Sequence, residues 1–154
     1  SKWVQAIVGG MIAGFATYMT GEIYSALKNH TILGKTMAPG EATGAAFRAG
    51  LQAARSGRKS QSLLHRLFRV RTLALVEELA ASEGADYLSG LLIGDEVLDV
   101  IPQHEMSDPV IIIASSDLAK RYEIAGEVLG LPMRRAPASV MPRWMGASVA
   151  AASC

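Results

Sequence analysis

The feature that most constrains the fold is a short apolar run, Val110–Ile113, which is followed by three small residues and then by a helical pattern. Four consecutive β-branched residues are typical of a strand in a parallel sheet, where both faces of the strand are buried. The small residues Ala114, Ser115 and Ser116 predict a tight turn into a helix, and Gly130 is suited to the end of that helix. The order of strand, turn and helix therefore predicts an α/β domain.

A second apolar stretch, Ala6–Met19, allows two interpretations. It is about 14 residues long, whereas a membrane-spanning helix needs roughly 20, although its glycines also have the spacing by which membrane helices pack. Gly9 and Gly10 lie in its middle, where each would cost a helix about 1 kcal/mol relative to alanine, and they are instead typical of a hairpin turn. We therefore favour two strands, Lys2–Val8 and Met11–Met19, over a membrane segment.

The rest of the pattern is mainly helical. Thr20 is expected to cap a short helix, and Glu22 would lie favourably near the positive end of its dipole. A helical insertion is predicted from about residue 40 to 100, and an edge strand over 132–136 and a final helix over 138–152 complete a β-α-β-α part. The predicted apolar stripes are Ile23, Ala26 and Leu27; Phe47, Leu51 and Ala54; Leu63, Leu64, Leu67 and Phe68; and Leu73, Val76, Leu79 and Ala80.

Two glycines, Gly90 and Gly94, lie four residues apart in a predicted helix from Asp86 to Val97. Each glycine weakens a helix by about 1 kcal/mol relative to alanine, so their presence needs a physical reason. Either another backbone packs against this face, or a flat ligand lies on it. From the residues alone, packing is the favoured interpretation.

The charge pattern argues against nucleic acid as a partner. The net charge is +1, and the basic residues are not interleaved with aromatic ones. Residues 42–76 nevertheless contain no acidic residue, and this segment is either a solvated helical face or a field that attracts an anionic substrate. The solvated face is favoured, and Arg71 is the candidate for a contact if the segment instead attracts an anionic substrate. The basic residues of the segment are Arg48, Arg55, Arg58, Lys59, Arg66, Arg69 and Arg71.

No metal site and no nucleophile are predicted from the remaining reactive residues. The single cysteine is Cys154, so no disulfide framework is available, and a reducing compartment such as the cytoplasm is expected. Three scattered histidines lack metal-ligand spacing. Asp95, Glu96 and Asp117 are expected near helix ends, which explains these carboxylates without catalysis. The chain starts at Ser1 without a methionine, which we interpret as a piece of a longer polypeptide.

Five strings of the sequence stand out by their order and spacing over nearly the whole chain. The most specific is Tyr87–Glu96, which reads YLSGLLIGDE. The other four are Ser1–Val4, Tyr18–Glu22, Leu67–Arg71 and Leu118–Ala125. A single short match would be weak, whereas five in order are strong. Together they resemble the 2-dehydro-3-deoxygalactonokinase family.

This resemblance implies a kinase of the actin, hexokinase and heat-shock ATPase superfamily, in which two ribonuclease-H-like lobes close on ATP and Mg²⁺. Residues 1–154 would form the C-terminal lobe, whereas the N-terminal lobe, with the expected catalytic acidic residue, would be absent. The implied reaction is phosphorylation of 2-dehydro-3-deoxygalactonate at its terminal hydroxyl, and this lobe alone would be inactive. The competing hypothesis is a non-catalytic module that binds a nucleotide or a sugar acid. The expected partners are the sugar acid and the N-terminal lobe, with neither nucleic acid nor membrane, and homo-oligomer formation is left open.

The resemblance also implies which residues contact the nucleotide. The family's adenosine turn begins with glycine where this chain has Ala114, whose methyl group would crowd the nucleotide. Residues 136–154 depart most from the family, which has an Ala- and Gly-rich helix there. The residues that correspond by position are Ser1 and Lys2 beside the γ-phosphate, Thr20 and Gly21 along the phosphates, Gly90 near the adenosine, and Ala114, Ser115 and Ser116 at the adenosine turn.

Overall fold

The computed structural model describes residues 2–8, 11–39, 44–101 and 109–136. Within these residues the chain is a helix-rich α/β fold with two small sheets, which confirms the predicted class. The final helix predicted over 138–152 lies outside the described residues. The strands are β1 (Lys2–Val8), β2 (Met11–Tyr18), β3 (Val110–Ile112) and β4 (Met133–Arg135), and the helices are α1 (Thr20–His30), α2 (Ala45–Gly57), α3 (Leu63–Leu75), α4 (Gly84–Val100) and α5 (Ser116–Leu129).

The N-terminal hairpin is confirmed. β1 pairs with β2 in antiparallel register, and Lys2 lies opposite Tyr18 at the open end of the hairpin. A register shift follows Ala6, as in a β-bulge, which increases the local twist of a strand pair. The predicted glycine turn at residues 9–10 lies outside the described residues. In the part of the chain that the structure describes, no helix combines the length and apolar character needed to cross a membrane.

The centre of the fold is α4, which contributes side chains to both apolar clusters of the described chain. α2 packs along α4, and its predicted stripe of Phe47, Leu51 and Ala54 is buried, which confirms that prediction. On the facing helix, Leu88 and Leu91 are completely buried. Burying a leucine side chain contributes about 1.5–3 kcal/mol, so this helix pair is a main source of stability.

The β-α-β segment has the predicted topology. β3 pairs in parallel with β4, and α5 connects them. That helix ends at Gly130, whose φ of 83° lies in the left-handed region that glycine adopts easily. Ile112 is buried in the same cluster as α5, but Ile111 is 54% exposed. The prediction of a strand buried on both faces is therefore wrong, because the described elements cover only one face of this sheet.

The predicted apolar stripe of α3 is confirmed for Leu63 and Leu67 but wrong for Leu64 and Phe68. Its buried residues are Arg66, Leu67 and Val70, whereas Leu64 and Phe68 are exposed, the former by 79%. A helical period shows that one face is apolar but does not show which face meets the neighbouring helix. Here the face that packs inward includes a cation.

Two further stripes also differ from prediction. In α1 the residues that pack inward are Tyr24 and Leu27, whereas Ile23 lies on the exposed side. After α3 the helical pattern does not continue, so Val76 is exposed although Leu79 is buried in the following turn. Short helices carry few apolar positions, so their orientation depends on tertiary contacts more than on local sequence.

Candidate functional site

A cleft of about 220 Å³ lies at the beginning of α1, between α4 and the first turns of α5. It includes Thr20 and Gly21, which the resemblance assigned to the nucleotide, whereas Ala114, Ser115 and Ser116 of the predicted adenosine turn are not among its lining residues. Thr20 and Gly21 lie on one side, and Leu118, which follows the predicted adenosine turn, lies on another. The cleft is lined by Thr20, Gly21, Tyr24, Ser89, Leu92, Ile93, Leu118 and Arg121.

The start of α1 borders this cleft. Met19 occupies the N-cap without a side-chain hydrogen bond, so the predicted capping by Thr20 is wrong, whereas Glu22 lies in the first turn as expected. The first intrahelical hydrogen bond runs from the amide of Ile23 to the carbonyl of Met19 at 2.8 Å, so the amides of Thr20 and Gly21 precede it. Apart from its neighbours in the chain and the backbone of its own helix, no described atom lies within 4 Å of the place where a side chain on Gly21 would begin. A negatively charged group can therefore approach this end of the helix.

The hydroxyl of Thr20 contacts a buried carboxylate instead of capping the helix. It donates to Oε2 of Glu96 in α4, and the hydroxyl of Tyr122 in α5 donates to the same oxygen at 2.8 Å. Because α4 continues to Val100, the interpretation of Glu96 as a helix-end carboxylate is wrong. Burial, together with the neighbouring carboxylate, raises the pKa of Tyr122 well above its ordinary value. Its phenol therefore stays protonated and remains a donor.

Arg121 of α5 places a fixed cation in the wall of the cleft. Its Nη2 donates to Asp86 of α4 at 2.7 Å and its Nη1 donates to the hydroxyl of Ser89 at 3.4 Å. The guanidinium also lies 5.1 Å from the ring centroid of Phe47, within the range of a cation–π contact. Sequence reasoning missed this residue. Its available signal was the helical spacing from Leu118, which puts both side chains on one face of α5.

Gly90 faces α2 and not the cleft. A methyl group on Gly90 would lie 2.1 Å from the carbonyl oxygen of Phe47, and one on Gly94 would lie 2.8 Å from the Cβ of Ala54. This close approach of two helices confirms packing as the reason for both glycines. A contact between Gly90 and adenosine stays a prediction. The residues of α4 that line the cleft are Ser89, Leu92 and Ile93.

The turn into α5 has the predicted form. Ala114 is half-buried against the apolar cluster that includes α5, Ser115 is the N-cap without a side-chain hydrogen bond, and Ser116 begins the helix. Lys2 lies at the end of the hairpin from which α1 starts. Ser1 lies outside the described residues. The nucleotide contacts assigned to these residues stay predictions.

Carboxylates from other helices neutralise part of the acid-free basic segment. Arg66 is buried and donates to Asp95 of α4 at 2.8 Å, and Arg58 contacts Asp95 and Asp99 at 3.4 and 2.8 Å. The solvated-face interpretation is therefore wrong for Arg66, and Asp95 lies inside α4 instead of at its end. Asp117, in contrast, lies in the first turn of α5 as predicted.

Arg71 is not among the residues that line the cleft. Its Nη1 donates to the carbonyl oxygen of Ile32 at 3.0 Å, which ties α3 to the loop after α1. This bond satisfies one of its five N–H donors and leaves a guanidinium that can make further contacts. The contact of Arg71 with a substrate carboxylate stays a prediction.

Together these features define the class of the protein: a helix-rich α/β domain with a cleft at the N-terminal ends of α1 and α5. The family described as 2-keto-3-deoxy-galactonokinase matches residues 1–144. The chain therefore belongs to that family.

Individual relatives agree with this family. The 2-dehydro-3-deoxygalactonokinase of Escherichia coli (strain K12) is 35% identical over 129 residues, which cover 84% of this chain and 43% of the relative. A relative of the same enzyme name from Rhizobium meliloti (strain 1021) is 34% identical over 152 residues, which cover 98% of this chain and 49% of the relative. A crystal structure of a protein assigned to these kinases from Sinorhizobium meliloti has a TM-score of 0.77 at 29% identity, covering 98% of this chain and 49% of that one. The chain thus spans about half the length of the relatives it matches.

Proposed function

We propose that this chain is the C-terminal lobe of an ATP-dependent kinase that phosphorylates 2-dehydro-3-deoxygalactonate at its terminal hydroxyl. The observation that carries the proposal is the cleft in which Thr20 and Gly21 meet the first turns of α5. The named relatives are about twice as long as this chain, which supports an N-terminal lobe as the second half of the enzyme. The finer fold proposed is ribonuclease-H-like, with closure of two lobes, in a cytoplasmic protein.

The residues of the cleft fit a nucleotide. The amides at the start of α1 and the open space at Gly21 suit phosphate oxygens. Arg121 supplies a positive charge that Asp86 holds in place. The apolar side chains of Leu92 and Leu118 supply a surface for a base or ribose.

The contribution of this lobe to the reaction is positioning. Phosphoryl transfer depends on orientation and on stabilisation of charge more than on covalent chemistry by the protein. The backbone at Thr20 and Gly21 would hold phosphate oxygens, and Arg121 would stabilise negative charge beside them. Within the described residues, no group of three or more His, Cys, Asp or Glu side chains is placed to hold a metal ion. Mg²⁺ is proposed to bind with the nucleotide, where it would neutralise charge on the phosphates.

The direct test uses the intact protein that contains this chain, with ATP, Mg²⁺ and 2-dehydro-3-deoxygalactonate. We expect formation of ADP together with a sugar acid phosphorylated at its terminal hydroxyl. ATP binding without turnover would favour the non-catalytic module. Absence of both binding and turnover would contradict the assignment of the cleft to a nucleotide.

Replacing Gly21 by leucine in the intact protein is expected to raise the KM for ATP about tenfold or more, which corresponds to about 1.4 kcal/mol. The new side chain would enter the open space proposed for the phosphates, and no described atom outside its own helix and chain neighbours lies within 4 Å of where it begins. The free energy of unfolding should therefore change little. Ala26→Leu, at an exposed position of the same helix, is the matched control and should leave the KM for ATP unchanged. If both variants bind ATP like wild type, the phosphates are not at Gly21.

For the sugar acid, we propose Arg71 as a contact to its carboxylate. Arg71→Gln is then expected to raise the KM for the sugar acid roughly tenfold to a hundredfold and to spare ATP, because a charged hydrogen bond contributes about 1.5–3 kcal/mol. A smaller effect that fades with added salt would indicate steering, since screening acts over about 8–10 Å. Lys59→Gln removes an equal charge from the same segment as a control. A wild-type KM at low and high salt would exclude Arg71 from the site.

A further inference from the structure

We propose that Glu96 is a positioning residue for the nucleotide: it fixes the start of α1 through the hydroxyl of Thr20. Glu96 is 7% exposed and lies in the interior of α4. Within the described residues its carboxylate enters no ion pair, and its two partners are both hydroxyl groups. The kinetic part of this inference rests on the proposed function, whereas its structural part does not.

The direction of the hydrogen bonds determines what Thr20 can do. A threonine hydroxyl has one hydrogen to donate, and a carboxylate can only accept. Because Thr20 donates that hydrogen to Glu96, its side chain cannot donate to a phosphate at the same time. The contacts available to a phosphate at this turn are therefore backbone amides, and their direction is set by how Thr20 is held.

The choice of a carboxylate at position 96 fits this role. Hydrogen bonds to an ionised acceptor are shorter and stronger than those between neutral groups. A buried carboxylate without a cation is also costly, so an apolar side chain would serve packing better. Glu96 joins α1 and α5 to α4, and its bond to Thr20 is at the wall of the cleft. The carboxylate thus couples the buried central helix to the turn at which the nucleotide is proposed to bind.

The experiment compares Glu96→Gln, Thr20→Val and the double variant in the intact protein. Without nucleotide, hydrogen exchange of the amides in the first turn of α1 should be about tenfold faster in all three than in wild type. The KM for ATP should rise about tenfold in each single variant, and the KM for the sugar acid should stay the same. Because Glu96 acts through Thr20, the double variant should show the same α1 hydrogen exchange and the same KM for ATP as Thr20→Val alone.

Tyr122→Phe is the matched control, since it removes the other hydroxyl from the same carboxylate oxygen but leaves the bond to Thr20. It should lower stability while leaving α1 exchange and the KM for ATP near wild type. If Glu96→Gln does not fold, Thr20→Val tests the same bond from its other end by exchange and by KM.

Three results would overturn the inference: wild-type exchange at α1 in the folded variants, an unchanged KM for ATP, or effects that multiply in the double variant. Failure of the wild-type protein to use ATP would instead overturn the proposed function. In that case the exchange measurement alone would still decide whether Glu96 fixes the start of α1.

Discussion

Replacing Gly90 by alanine is expected to lower the free energy of unfolding of the intact protein by about 3 kcal/mol, at the upper end of the usual range for overpacking. The new methyl group would lie 2.1 Å from the carbonyl oxygen of Phe47 and 3.2 Å from the Cα of Gly50. Both are backbone atoms of α2, so the contact can be relieved only by moving the two helices apart. Chemical denaturation of the variant and of wild type measures the difference.

Gly21→Ala is the control for this substitution, because it makes the same chemical change where no described atom outside its own helix and chain neighbours lies within 4 Å. Its stability should match or slightly exceed that of wild type, since alanine favours a helix more than glycine does. A Gly90→Ala protein as stable as the Gly21→Ala protein would contradict the packing explanation. If the Gly90→Ala protein kept this stability but had a raised KM for ATP, the adenosine contact of Gly90 would become the better explanation.

Asp95→Ala is expected to lower the free energy of unfolding by about 3–5 kcal/mol, which equals or exceeds the loss expected for Gly90→Ala. The side chain of Arg66 is only 6% exposed, and its Nη2 donates to Asp95 at 2.8 Å. Its Nε and Nη1 are buried without a hydrogen-bond partner among the described residues. Among the described residues, the variant would therefore leave the buried guanidinium of Arg66 with no acceptor, which is the costly way to break such an ion pair.

Glu127→Ala is the matched control, because Glu127 pairs with Arg48 at 3.2 Å on the exposed surface of the protein. An exposed pair contributes about 0–1 kcal/mol, so this variant should be nearly as stable as wild type. Arg66→Met should also cost less than Asp95→Ala, since it removes the buried charge and Asp95 keeps its contact with Arg58. Equal stability of the Asp95 and Glu127 variants would show that the Arg66–Asp95 pair contributes no more to the free energy of unfolding than an exposed pair does.

Features that depend on near neighbours in the chain were predictable from sequence. An apolar stretch interrupted by a glycine pair predicted the hairpin, and β1 and β2 pair as expected. The stripe of α2 and the end of α5 at Gly130 are also confirmed. Five ordered strings indicated the family, and the match over residues 1–144 confirms it.

The candidate site was predictable only in part. Thr20 and Gly21 were assigned to the nucleotide from the resemblance, and the structure places them in a cleft with the first turns of α5. Arg121 was missed, because its guanidinium is held in the cleft wall by Asp86, a residue 35 positions away on another helix. Glu96 was interpreted as a helix-end carboxylate, but the helix continues to Val100 and Glu96 lies inside it.

Local sequence therefore established most strands and helices, because hydrophobic period and glycine turns act over a few residues, whereas the Thr20 cap and the helical pattern beyond Leu75 were wrong. The packing of distant segments established which charged groups are buried and paired. Arg66 and Asp95 are 29 positions apart, and Thr20 and Glu96 are 76 apart. The sequence shows each of these residues as polar, but burial and partnership depend on which helix faces meet. That choice is made by the close approach of α2 to α4 and by the docking of α1 and α5 on the same central helix.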